Sequence, residues 1–140
     1  MGGPDAAQLA RAKRFLAHEG ASAGCSKDCA LAAGRVYEKL NARLGPLLGA
    51  AGVRALFARS AKMASRDLAA VAGIGPLESS TTLSAFLQQL EPAVAHEVAA
   101  ALFGTFLSLT TTFIGERLTH QVLRSAWPTI EDPTQRENKE

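Results

Sequence analysis

A chain of 140 residues is one domain by length, and a 47% hydrophobic, 20% charged composition supports a core without disulfides. Alanine and leucine abound while valine and isoleucine are scarce, which favours an all-α fold and argues against any sheet architecture. The net charge of +2 hides an asymmetry: residues 1–75 carry a basic surplus and residues 76–140 an acidic one. Such a split suits two halves that attract each other, or a basic face for an acidic partner.

The opening MGGPDAAQLARAKRFLAHEG lacks the apolar core of a secretory leader. With two cysteines and no export signal, a reducing cytoplasm is the expected location.

Asp5 is placed to cap a first helix running to about His18, with Leu9, Ala12, Phe15 and Leu16 on its apolar side. EGASAG (19–24) breaks it. A second helix is expected from Ser26 to about Leu44, its stripe made by Leu31, Val36, Leu40 and Leu44 and widened by Ala32 and Ala33. Gly45-Pro46 is the expected stop, because proline cannot donate to the helical ladder. A third helix follows over about 51–71, on Val53, Leu56, Phe57, Ser60, Ala64, Leu68 and Val71. Gly73-Ile74-Gly75-Pro76 ends it. Ser79, Ser80 or Thr81 caps a short fourth helix carrying Leu83, Phe86, Leu87 and Leu90. Pro92 suits the first position of a fifth helix that runs to about Trp127, kinked near Gly104 or Gly115 and stopped by Pro128. The expected fold is a five-helix bundle with a long, kinked, central C-terminal helix. One domain covers residues 1–128, and a polar tail covers 129–140.

Val98 to Gly115 is an uncharged run, at the lower edge of what spans a bilayer. Five hydroxyl residues, two glycines, close polar brackets and no basic flank argue against a membrane span. Val98, Leu102, Phe106, Leu109 and Phe113 form one apolar face, and Gly104, Ser108, Thr112 and Gly115 form a strip of small residues elsewhere. A helix with no charged side around its circumference is covered around its circumference. Four shorter helices would struggle to cover one so long. The expectation is a homodimer through Gly104, Ser108, Thr112, Gly115 and Trp127, with a further protein partner as an option.

No catalytic constellation stands out, and no cofactor is expected. Cys25 and Cys29 lie one helical turn apart, and with His18 they are weak metal candidates, but a zinc site needs four ligands. Glu116 and His120 are an i, i+4 pair that reads as a helix-surface contact. Arg35, Lys39 and Arg43, then Arg59, Lys62 and Arg66, form basic ridges with little aromatic interleaving, so nucleic acid is an improbable ligand. Trp127, just before Pro128, is placed to cap the end of the bundle.

GVRALFARSAKMA at 52–64 and FIGERLTHQVLRSAWP at 113–128 resemble a class of small all-helical domains in uncharacterised bacterial proteins, whose long terminal helix closes on L-x-x-x-W-P. The resemblance implies an all-helical domain and no particular activity. The expected role is therefore a non-enzymatic interaction or regulatory module, with a small-molecule or metal-binding bundle as the alternative.

Overall fold

The computed structural model describes residues 6–20, 26–69, 71 and 79–128. Asp5, Cys25, the Gly73–Pro76 stop and the tail 129–140 lie outside the described residues. The fold is all-α: α1 (Ala6–His18), α2 (Ser26–Asp67), α3 (Ser80–Gln88), α4 (Pro92–Ile114) and α5 (Glu116–Ala126), with no strand among the described residues.

The five expected helices are divided differently along the chain. The second and third run on as α2, a 42-residue element with one non-helical residue, Gly49 (φ 80°, ψ 156°). Pro46 therefore lies inside the helix rather than ending it. Its ring fixes a φ compatible with helix and removes one donor, whereas a full stop needs a residue free to take positive φ. Gly49 takes that positive φ and Gly45 does not, although both have open space around the missing Cβ. At the other end of the chain, the expected long helix breaks at Gly115 (φ 94°, ψ 158°) into α4 and α5. Gly104 causes no kink.

Local signals set the remaining ends. Ser79 caps α3, its hydroxyl accepting from the Thr82 amide at 3.3 Å. Pro92 takes the first turn of α4, where no amide partner is lost. Ser84 of α3 donates to the Ala30 carbonyl of α2 at 2.8 Å, and glycine at position 34 lets the two helices approach there.

Helix α4 is the centre of the bundle and packs against the other four. Ala95, Val98, Leu102, Phe103, Phe106 and Leu107 are all buried. Phe57 of α2 stacks on Phe106 (centroids 4.0 Å apart) and on Tyr37 (4.4 Å) and meets Phe103 edge-on (6.1 Å). These rings tie both arms of α2 to α4. Two expected core residues fall elsewhere: Leu31 is 43% exposed, and Phe113 is 69% exposed. The stripe of α2 faces inward through Ala30, Ala32, Ala33, Val36 and Leu40 instead. Small alanines let the helix sit closer to its neighbours than leucine at position 31 would.

Helix α4 is also the single helix, among the described residues, long and apolar enough to cross a membrane. More than half of its apolar window is packed inside the chain, the profile of a bundle's core helix.

Candidate functional site

The candidate interface residues of α4 divide between core and surface. Gly104 is buried beneath the chain's own helices, and Ser108 is half-buried. Thr112 and Gly115 are exposed. Trp127 is 2% exposed, so it is a core residue and offers nothing to another chain. The expected dimer presupposes four modest helices around a long one. The 42-residue α2 changes that premise: it packs against α4, and the expected long helix is itself divided at Gly115.

Hydroxyls on α4 and α5 follow two patterns. Thr110, Thr112 and Thr119 each donate to the carbonyl four residues earlier, at 2.8, 3.1 and 2.7 Å. Thr105, Ser108 and Thr111 have buried hydroxyl oxygens with no hydrogen-bond partner. Such a group costs about 1–3 kcal/mol when buried unpaired.

Beside the C-terminal end of α4, against the second arm of α2, lies a groove of about 1060 Å³. Leu48, Ala55, Leu56, Met63, Leu109 and Phe113 give it an apolar floor. Arg59, Lys62 and Arg66 stand along one edge, spaced three and four residues apart and so on one helical face. All three are exposed, and none makes a side-chain hydrogen bond or ion pair among the described residues. Among the described residues, no Asp or Glu lines the groove. Leu47, 49% exposed, precedes the lining residue Leu48. The sequence shows the basic ridge. It does not show that the ridge borders an apolar trough, because that depends on where α4 ends relative to α2.

The first basic ridge has a different fate. Arg35 donates to the backbone carbonyl of Glu19 at 2.8 Å. Lys39 pairs with the Glu19 carboxylate and lies 5.6 Å above the Trp127 ring centroid. Trp127 stacks on Phe15 (4.1 Å, 8° between planes) and donates from Nε1 to Glu19 Oε2 at 2.8 Å. Burial pushes the Glu19 carboxyl up. The hydrogen bonds from Lys39 and Trp127, with the Lys39 and His18 charges, outweigh it and leave the group below the usual glutamate range. This node fixes the end of α1 to α2 and to the end of α5.

His120 does not pair with Glu116. Its Nε2 lies 3.2 Å from Arg11 Nη2 on α1. A guanidinium only donates, so Nε2 is the acceptor in this contact.

Of the metal candidates, His18 is exposed and Cys25 lies outside the described residues. Cys29 is free and fully buried, and desolvation pushes its thiol up to about 11. A thiol held that high is a poor ligand and a poor nucleophile. Among the described residues, no three His, Cys, Asp or Glu side chains converge on a point. In a Cys25→Ser chain, Cys29 is expected to react with a thiol reagent only as fast as the protein unfolds. Rapid modification of the native protein at neutral pH would contradict this burial.

The groove, then, combines an apolar lining with a row of cations that have no side-chain partner among the described residues. Comparison of the chain with family models, curated proteins and solved structures returns no significant match, so its function rests on this geometry.

Proposed function

We propose that the protein is a non-enzymatic interaction module whose contact surface is the groove between the second arm of α2 and the end of α4. The observation that supports it is Phe113, a phenylalanine left 69% exposed beside an apolar trough while Phe57, Phe103 and Phe106 are fully buried. Exposed aromatics next to apolar clefts are the usual anchors of protein contacts.

A photo-crosslinking amino acid placed at position 113 tests the reading in growing cells. The control is the same residue at position 31, where Leu31 is exposed outside the groove. A discrete protein adduct at 113 and none at 31 is expected. No adduct at 113, or equal labelling at both positions, would overturn it. An adduct at twice the chain mass would identify a second copy as the partner.

A further inference from the structure

Resting on that reading, we propose that the groove receives an acidic amphipathic helix of a partner protein. Its apolar face would lie on Leu56, Met63, Leu109 and Phe113, and its carboxylates on Arg59, Lys62 and Arg66. The floor alone would accept any apolar surface, and the rim sets the sign of the charge. Three cations on one helical face repel each other in the free protein, and among the described residues the lining holds no carboxylate to offset them. An anionic partner relieves that repulsion and is steered toward the groove by it.

The spacing selects a row of anions over a single one. Arg59 to Arg66 covers about 10 Å of helix axis, longer than one carboxylate or phosphate group can bridge. Acidic side chains three and four residues apart on a second helix repeat at the same interval. The flank from Gly52 to Arg66 is roughly 21 Å long, which matches about four turns of a partner helix. A trough between two ridges suits a cylinder, whereas a bilayer offers a plane. A second copy docked by two-fold symmetry on this face would bring two sets of the same cations together.

The test is fluorescence anisotropy of the full chain with a labelled peptide of about 16 residues, with leucines spaced three and four apart and glutamates beside them. A control peptide carries lysine for each glutamate. The glutamate peptide should bind about tenfold tighter or more than the lysine peptide and weaken as salt is raised. The Arg59→Glu, Lys62→Glu, Arg66→Glu chain should reverse the preference. All three positions are exposed, so circular dichroism and thermal midpoint should stay near wild type. Phe113→Ser should weaken both peptides. Equal binding of the two peptides would overturn the proposal. So would dimers that Phe113→Ser abolishes and the glutamate peptide does not displace. Sedimentation with anionic vesicles that depends on the same three cations, without peptide binding, would overturn it in favour of a membrane surface. If both peptides fail while position 113 still crosslinks to a protein, the acidic helix falls and the interaction module stands.

Discussion

Phe57→Ala is expected to lower the unfolding free energy by about 4 kcal/mol, measured by urea denaturation followed by circular dichroism. The ring is fully buried and is shared by three others: Tyr37 from the first arm of α2, and Phe103 and Phe106 from α4. Removing it loses the transfer energy of the side chain. It also leaves a cavity that aromatic neighbours, held in stacked and edge-on geometry, cannot close. A domain of this size has a total stability of about 5–15 kcal/mol, so the variant stands near the edge of folding. Phe57→Leu refills part of the space and should cost markedly less. A loss under about 1 kcal/mol for the alanine variant would mean that the two arms of α2 are not joined to α4 through this ring.

Trp127→Ala is expected to cost about 3–5 kcal/mol, for a different reason. Trp127 lies outside the large ring cluster and holds α5 to the end of α1 through Phe15 and Glu19. Trp127→Phe keeps a ring on Phe15 but removes the donor to Glu19, and should cost about 1 kcal/mol. The Glu19 carboxyl is held below its ordinary value in the folded state. A depressed carboxylate contributes stability that is present above the unfolded-state value and lost as pH falls through the folded-state value. Wild type should therefore lose its advantage over Glu19→Gln as pH drops below the usual glutamate range, and keep it at neutral pH. Parallel stability curves for the two proteins across that acidic range would contradict the role assigned to Glu19.

Features carried by a few adjacent residues were legible in the sequence. The end of α1 at His18 and the start at Pro92 follow from short-range chemistry, as does a hydroxyl cap drawn from Ser79, Ser80 and Thr81, where the structure uses Ser79. Where two local signals competed, the choice lay beyond the sequence. Gly45-Pro46 is the expected stop, yet the helical path is interrupted at Gly49, although Gly45 and Gly49 are equally open around their missing Cβ atoms. Gly104 and Gly115 both offered a kink. Gly104 is packed within the bundle, which keeps it helical, and Gly115 is at the surface. The long-range partners were not legible. Nothing near Glu19 in sequence announces Trp127, 108 positions away, and nothing near His120 announces Arg11. Phe113 fits the apolar stripe of α4 as well as Phe106 does. It is nonetheless exposed, at the edge of the groove, while Phe106 is buried.

The two glycine breaks have an electrical consequence. A continuous helix ends with a partial negative charge of about half an electron on its last carbonyls and begins with a matching positive one on its first amides. At Gly49 the end of one helical arm abuts the start of the next, and at Gly115 the end of α4 abuts the start of α5. Each joint therefore sets a negative helix pole beside a positive one, and the two fields largely cancel a short distance away. The backbone near these joints contributes little net field to the groove beside them. The charge that the proposed partner would meet there is that of Arg59, Lys62 and Arg66, carried on exposed side chains that can be exchanged one at a time without touching the core.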